Sequence, residues 1–182
     1  MSKYEVVEKF VSINGEGTKA GQLAVFIRFK GCNLNCKYCD TKWANEQETP
    51  SQPMTEKEIL DYVLSTGVKN VTLTGGEPLL REGIENVITV LAENNLNIEI
   101  ETNGSVYLDK IRKLHKENVT FTMDYKLSCS GMEAAMNLDN FNILSSNDTV
   151  KFVAGCREDL IKAKQIIEKY NLYGNCLLYT SP

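Results

Sequence analysis

The sequence has 182 residues, of which 42% are hydrophobic and 24% are charged, and its formal net charge is −4. A chain of this length and composition is expected to fold around one core as a single domain over residues 1–182, without intrinsic disorder. The 20 Lys and Arg residues are scattered, which gives no electrostatic reason for a nucleic acid or membrane partner. Apolar runs fall short of the roughly 20 residues that span a bilayer, and the N-terminus lacks a signal-peptide core. We therefore expect a cytoplasmic protein.

Periodic patterns in the first half of the chain predict strands that alternate with helices. Residues 24–29 have the composition of a strand and lead into a loop with three cysteines. A helix is predicted to begin after Thr55, because Glu58 lies three residues further on and completes a capping box. Residues 70–74 are the next predicted strand. An i, i+3, i+4, i+7 pattern then marks one face of a second helix, formed by Ile84, Val87, Ile88 and Leu91.

The second half of the chain continues the same alternation. Strands are predicted at 97–101, 119–123, 149–153 and 176–179. Helices are predicted near 107–117, over 132–138, and along a face formed by Leu160, Ala163 and Ile167.

Alternating strands and helices favour βαβ units and a parallel sheet. A complete (β/α)₈ barrel usually needs about 250 residues, so this chain has room for six units at most. The sequence predicts an α/β fold, a partial, open parallel β/α barrel of about six βα units. The alternative is a flat doubly wound sheet, which periodicity alone does not distinguish well from an open barrel.

The cysteines are distributed unevenly. Cys129, Cys156 and Cys176 are isolated and are interpreted as core or surface thiols, whereas Cys32, Cys36 and Cys39 form C-x₃-C-x₂-C. In a reducing compartment such a cluster indicates a metal site or catalysis more often than disulfides.

Three thiolates on one short loop suit three irons of a [4Fe–4S] cluster and leave the fourth iron with an open position. S-adenosylmethionine (AdoMet) is able to fill that position through its amino and carboxylate groups, and an electron from the cluster then breaks a C–S bond to release a 5′-deoxyadenosyl radical. A structural zinc site would need a fourth ligand, and the only histidine, His115, lies among charged residues in a predicted helix. We interpret His115 as a surface residue.

Loops at the carboxyl ends of parallel strands carry function in both candidate architectures. The cysteine loop, Gly75–Pro78 and Glu101–Gly104 each follow a predicted strand. The sequence therefore predicts that these three loops share one rim.

The cysteine motif resembles that of the radical AdoMet superfamily, with Tyr38 before the third cysteine and Gly-Gly-Glu-Pro after the next strand. The resemblance implies that Cys32, Cys36 and Cys39 hold the cluster. It also implies AdoMet contacts at Tyr38, Cys39, Asp40, Gly76 and Glu77, and, from a weaker match, at Asp124, Tyr125 and Lys126. The alternative interpretation of Gly75–Pro78 is a plain turn in which Pro78 starts a helix.

The stretch from Phe10 to Gly17, with Phe26-Ile-Arg28 and Cys39-Asp-Thr41, is similar to the 7-carboxy-7-deazaguanine synthases. The likeness runs from about residue 8 to the final Ser-Pro. It implies a lyase that converts 6-carboxy-5,6,7,8-tetrahydropterin into 7-carboxy-7-deazaguanine with loss of ammonia, towards queuosine, using AdoMet and Mg²⁺. It further implies a flavodoxin- or ferredoxin-type electron donor and a homodimer.

This resemblance also assigns residues to the substrate. It implies substrate contacts at Ile13, Asn14, Gly15, Glu16, Arg28 and Thr74 and a magnesium ligand at Thr41, and it assigns no catalytic side chain. The planar guanidinium of Arg28 suits the substrate carboxylate, although an outward-facing residue on an alternating strand is the alternative interpretation. The family more often has Gln where this chain has Asn14. The alternative interpretation of residues 13–16 is a plain Gly-rich turn.

Two other functions stay open at this point, namely an activase of a glycyl-radical enzyme and a non-catalytic metal-binding module. The segment Asn14–Gly17 and Arg28 suit a small anionic substrate better than a protein backbone. Members of the family typically continue beyond the corresponding Ser-Pro, so we expect either a natural short form or a truncated chain that lacks C-terminal elements and part of the substrate pocket.

Overall fold

A single eight-stranded sheet organises the computed structural model, which describes residues 3–114 and 117–180. The strands of this described part are β1 (Tyr4–Ile13), β2 (Leu23–Phe29), β3 (Gln52–Met54), β4 (Asn70–Gly75), β5 (Asn97–Thr102), β6 (Val119–Tyr125), β7 (Thr149–Ala154) and β8 (Cys176–Thr180). The helices are α1 (Glu56–Thr66), α2 (Ile84–Glu93), α3 (Asp109–Leu114) and α4 (Arg157–Tyr170).

The strand order is β3-β1-β2-β4-β5-β6-β7-β8. From β2 to β8 the neighbours are parallel and follow each other in chain order, whereas β1 pairs antiparallel with both β2 and β3. A doubly wound sheet reverses its strand order at a switch point, and this sheet does not. Its edge strands β3 and β8 are not paired with each other. The predicted open, partial barrel is therefore confirmed.

The predicted cap of α1 is present in atomic detail. Thr55 Oγ1 accepts a hydrogen bond from the Glu58 amide at 3.3 Å, and the Glu58 carboxylate accepts one from the Thr55 amide at 2.7 Å. These reciprocal bonds satisfy two amide groups that the first helical turn leaves without partners.

Strand β1 was not among the predicted elements. Its side chains do not alternate cleanly between buried and exposed positions, and its register with β2 shifts between Val6 and Glu8. A shift of this kind breaks the two-residue period that reveals a strand in a sequence.

Two helix predictions are wrong in detail. The segment 132–138 forms two short 3₁₀ helices, Glu133–Ala135 and Leu138–Asn142, instead of one helix. In α4, Leu160 is exposed, and Asp159, Ala163 and Ile166 face inward. The helix predicted near 107–117 is α3 as far as Leu114, and His115 lies outside the described residues.

The two faces of the sheet differ in chemistry because successive side chains point to opposite faces. One face packs against the helices and supplies strand residues to the core, among them Ile27, Leu73, Ile98, Ile100 and Phe121. The core cluster contains residues from Tyr4 to Leu172. The opposite surface, called the polar face below, carries Arg28, Thr72, Thr74, Glu99, Glu101, Thr122, Asp124 and Lys151.

None of the helices in the described ranges is long and apolar enough to cross a membrane.

Candidate active site at the carboxyl ends of the strands

The cysteine loop begins directly after β2, and its three thiols are free. Cys36 is buried, while Cys32 and Cys39 are half-buried. Burial raises the pKa of the Cys36 thiol, and the nearby Lys126 ammonium opposes this shift. Since each thiol of such a loop binds a different iron, three free thiols on one short loop suit a cubane cluster.

The loop that follows β4 holds the cysteine loop in place. The Gly76 amide donates to Phe29 O at 3.1 Å, and the Glu77 amide donates to Gly31 O at 3.0 Å. A Cβ atom at Gly76 would lie 2.1 Å from Gly31 O and 2.5 Å from Asn45 Oδ1. Only glycine fits this contact, because no real Cβ approaches a backbone oxygen so closely.

The loop that follows β5 completes the rim. Asn103 Nδ2 donates to Cys32 Sγ at 3.5 Å and to Asn33 Oδ1 at 3.0 Å. The three loops therefore meet, as their positions after neighbouring strands predict. Asn103 was not among the predicted site residues, and its only sequence signal is its place directly after a strand.

Glu77 braces two of these loops. Its carboxylate is fully buried and accepts hydrogen bonds from Thr102 Oγ1 at 2.9 and 3.0 Å, from the Asn103 amide at 2.6 Å and from the Leu79 amide at 3.0 Å. The Glu77 carboxylate is thus turned into the protein, and the predicted AdoMet contact at Glu77 stays a prediction for its backbone. Only the backbone of this segment is available to a ligand.

Burial raises the pKa of Glu77 from 4.5 to about 7, although the amides of Asn103 and Leu79 act in the opposite direction. Between these pH values the folded chain binds a proton that the unfolded chain has released. We therefore expect the free energy of unfolding to fall by about 3 kcal/mol as the pH rises from about 4.5 to about 7. Replacing Glu77 by Gln should remove most of this dependence of the free energy of unfolding on pH.

Denaturant unfolding at pH 5 and at pH 7.5 gives the free energy of unfolding of wild type and of Glu77→Gln. The effect is the difference between the two proteins in how much this free energy changes between the two pH values. The same substitution at the exposed Glu93 is the control. Equal changes for wild type and Glu77→Gln would show that Glu77 does not change its charge in this range.

Asp124 and Lys126 lie at the end of β6. Lys126 Nζ donates to Asp124 Oδ2 at 2.7 Å, and both side chains are largely buried. Burial alone would lower the pKa of Lys126, but the Asp124 carboxylate holds it above its ordinary value. Two buried oxygens at this rim, Asp124 Oδ1 and Asn45 Oδ1, have no hydrogen-bond partner among the described residues. They are suitable acceptors for a ligand.

Tyr125 does not belong to this group. Its ring packs against Phe141 and Phe152 on the core side of the sheet, with centroids 5.8 Å away in both cases. Alternation along the chain places the Tyr125 side chain on the face opposite Asp124 and Lys126, so the predicted AdoMet contact at Tyr125 stays a prediction for its backbone.

Tyr38 connects the cysteine loop to β7. Its hydroxyl donates to Val153 O at 3.0 Å, and burial raises its pKa to about 12. Thr41 Oγ1 lies 3.8 Å from Cys39 Sγ, while Asp40 is exposed. The hydroxyl of Thr41 is therefore next to one of the cluster thiols.

The segment after β1 covers the amino-terminal end of the polar face. Asn14 is 1% exposed, and its Nδ2 donates to Thr72 Oγ1 at 3.3 Å and to Glu99 Oε2. A Cβ at Gly17 would lie 2.5 Å from Glu99 Oε1. The side-chain amide of Asn14 is thus bound to the protein, and the predicted substrate contact at Asn14 stays a prediction for its backbone.

The other predicted substrate residues divide between the two faces. Ile13 is 63% exposed and is paired with Leu23, so its side chain points away from the polar face. Gly15 has open space beside it, and Glu16 forms a 2.9 Å ion pair with Lys151 on the polar face. The predicted substrate contact at Ile13 therefore stays a prediction for its backbone.

Arg28 and Thr74 are neighbours on the polar face. Arg28 Nε is 2.9 Å from Glu8 Oε2, and the side chain is 17% exposed, so it is not a solvent-facing residue. Thr74 Oγ1 donates to Glu101 Oε2 at 2.6 Å. Burial raises the pKa of both Glu99 and Glu101. Glu101 belongs to a loop that the sequence predicts for the rim, whereas sequence reasoning missed Glu99, whose signal is the alternation of charged and apolar residues in β5.

The fold and the rim define a radical AdoMet protein, because parallel strands in chain order carry a C-x₃-C-x₂-C loop beside a polar face. In agreement, the model of the Radical SAM superfamily matches residues 26–126. A curated 7-carboxy-7-deazaguanine synthase of Clostridium acetobutylicum is 57% identical over 98% of this chain and 81% of that protein. The chain belongs to the 7-carboxy-7-deazaguanine synthase family.

Two further comparisons agree with this assignment. A 7-carboxy-7-deazaguanine synthase of Methanospirillum hungatei is 35% identical over 91% of this chain and 68% of that protein. The crystal structure of QueE from Escherichia coli matches with a TM-score of 0.73, covering 98% of this chain and 83% of that chain. At 22% identity, the second likeness is one of fold.

Proposed function

We propose that the chain is a radical AdoMet carbon–nitrogen lyase that converts 6-carboxy-5,6,7,8-tetrahydropterin into 7-carboxy-7-deazaguanine with loss of ammonia. The observation that carries this proposal is the meeting of the cysteine loop with a charged, buried polar face in a chain of this family. A small polar substrate suits such a face better than the backbone of a protein partner does. This favours the lyase over the glycyl-radical activase and over a non-catalytic metal-binding module.

A [4Fe–4S] cluster with AdoMet supplies one-electron chemistry, in which a C–S bond is cleaved and a 5′-deoxyadenosyl radical is released. Cys32, Cys36 and Cys39 would hold the cluster. Gly76 lets the loop after β4 pack directly against Gly31 of the cysteine loop. The unpartnered oxygens of Asn45 and Asp124 provide acceptors for a ligand ammonium.

The polar face supplies the substrate contacts in this proposal. Arg28 presents a planar guanidinium for the carboxylate of the substrate. Glu16, Glu99 and Glu101 are acceptors for the donor edge of a pterin, and Thr74 fixes the orientation of Glu101. Burial of these groups excludes water, which strengthens each charge-assisted hydrogen bond.

Two further assignments rest on the family resemblance. We place Mg²⁺ at Thr41, whose hydroxyl is a hard oxygen ligand beside Cys39. A low-potential protein of flavodoxin or ferredoxin type is the proposed reductant, and the homodimer stays a prediction.

The experiment is an anaerobic turnover assay of the reconstituted protein, in which 5′-deoxyadenosine and the deazapurine product are quantified separately. Arg28→Lys keeps the charge but loses the planar fork, so we expect substrate affinity to fall about tenfold. 5′-Deoxyadenosine should still form, uncoupled from product.

Glu8→Gln is the matched control, because it removes the protein partner of the guanidinium and leaves the guanidinium itself. It should keep wild-type affinity and coupling. If Glu8→Gln lost as much substrate affinity as Arg28→Lys, the role of Arg28 would be limited to its structural ion pair with Glu8. Wild-type protein that forms 5′-deoxyadenosine but no deazapurine would refute the proposed reaction.

A further inference from the structure

Cys129 and Cys156 look isolated in the sequence, but they are close together in the structure. Their Sγ atoms lie 2.9 Å apart, and both residues are half-buried. Tyr125 of β6 pairs with Phe152 of β7, so each cysteine lies four residues beyond a member of the same parallel pair. The two thiols therefore meet at the same rim as the cysteine loop.

Asp159 holds the two cysteine-bearing segments together. Its carboxylate, buried in the first turn of α4, accepts hydrogen bonds from the Cys129 amide at 3.2 Å and from the Gly155 amide at 3.0 Å. A Cβ at Gly155 would lie 2.9 Å from Cys129 Cβ and 3.4 Å from its Sγ. The absence of a side chain at 155 is thus what allows the two thiols to approach.

A metal ion is one potential occupant, because the ligand atoms of Cys129, Cys156 and Asp159 lie within 4.8 Å of one another. Two sulfurs bound to one tetrahedral zinc, at about 2.3 Å each, would be about 3.8 Å apart. The observed separation is 2.9 Å, and the Asp159 oxygens already accept amide hydrogen bonds. A covalent disulfide, with an S–S bond of about 2 Å, needs the sulfurs to approach by only about 1 Å.

We propose that Cys129 and Cys156 form an oxidisable dithiol, which a low-molecular-weight disulfide such as oxidised glutathione converts into an intramolecular disulfide. The Cys156 sulfur attacks one sulfur of the external disulfide, which breaks that bond and releases one thiol. The Cys129 sulfur then displaces the second thiol from Cys156. The protein loses two protons and two electrons, and the external disulfide is reduced to two thiols.

The order of attack follows from the surroundings of Cys129. The hydrogen bond to Cys156 and the Asp159 carboxylate raise the pKa of Cys129 to about 12. Because the Cys129 thiol donates to Cys156 Sγ and the Cys129 amide is bound to the Asp159 carboxylate, we assign the first attack to Cys156.

The dithiol is mechanically linked to the cysteine loop. Ser130 O accepts a hydrogen bond from the Lys37 amide at 3.0 Å, and Val153 O accepts one from the Tyr38 hydroxyl at 3.0 Å. Both segments that carry the dithiol thus contact residues between Cys36 and Cys39. Oxidation of the pair moves segments that support the proposed cluster site.

The test uses the anaerobic full-length protein with its cluster, equilibrated in mixtures of reduced and oxidised glutathione, quenched with N-ethylmaleimide and digested with trypsin. Cleavage after Lys126, Lys151 and Arg157 places the two cysteines on separate peptides, 127–151 and 152–157. We expect a disulfide-linked pair of these peptides that becomes the main species as the oxidised fraction rises. Cys176→Ser is the control and should leave this yield unchanged.

Two single variants test the order of attack. Cys129→Ser should trap Cys156 as a mixed disulfide with glutathione, whereas Cys156→Ser should leave Cys129 largely alkylated. The wild-type digest decides the proposal even if a variant fails to fold. Full alkylation of both cysteines at every glutathione ratio would overturn it. If one equivalent of zinc protected both thiols from N-ethylmaleimide, the proposal would be overturned in favour of a metal site.

Discussion

Replacing Cys36 by Ala is expected to reduce reductive AdoMet cleavage to background. Cys36 is the buried member of the three thiols, and an iron that loses its thiolate loses its anchor to the chain. Bound iron per chain should fall, and 5′-deoxyadenosine should be undetectable after reduction with dithionite. Cys32→Ala and Cys39→Ala should behave in the same way.

Cys176→Ala is the matched control, since this half-buried thiol lies on β8, outside the cysteine loop. It should keep wild-type iron content and cleavage. Circular dichroism of each variant separates loss of the site from loss of the fold. A Cys36→Ala protein that retains cleavage would show that the ligand assignment is wrong.

Gly76→Ala should damage the site without touching any predicted ligand of the cluster. The added methyl group would lie 2.1 Å from Gly31 O, so the cysteine loop must move or the sheet must open. Overpacking of this kind usually costs about 1–3 kcal/mol. We expect a lower midpoint of thermal unfolding and at least a tenfold loss of AdoMet affinity, because displacement of the loop moves all three thiols together.

Gly174→Ala provides the comparison, since nothing lies within 4 Å of the added Cβ. It should leave both the unfolding midpoint and AdoMet binding at wild-type values. Equal AdoMet affinity in Gly76→Ala and wild type would show that the loops after β2 and β4 are not rigidly coupled.

Most of the parallel sheet was predictable because its strands are short apolar or alternating runs separated by helix signals. The segments 70–74 and 97–101 were identified to within one residue. β1 was missed because the exposure of consecutive residues near its end and a register shift remove its periodicity. The face of α4 was wrong by one residue because the carboxylate of Asp159, which a sequence marks as polar, is buried by amide donors.

The site was predictable where spacing alone carries the chemistry, as in C-x₃-C-x₂-C. The direction in which each side chain of the site points could not be predicted from the sequence. Glu77 and Tyr125 were both assigned to a ligand, yet one is turned into a hydrogen-bonded brace and the other into the core. The proximity of Cys129 and Cys156 depends on the pairing of β6 with β7, which no local pattern reveals.

The contacts across the polar face have a consequence for how the chain folds. Asn14 and Glu99 are separated by 85 positions, and Glu16 and Lys151 by 135. Closing such long loops costs entropy that only later contacts offset, so native structure of this kind forms slowly. The polar face is therefore expected to be among the last parts of the molecule to become ordered. A nascent chain has no complete polar face until β7 has joined the sheet.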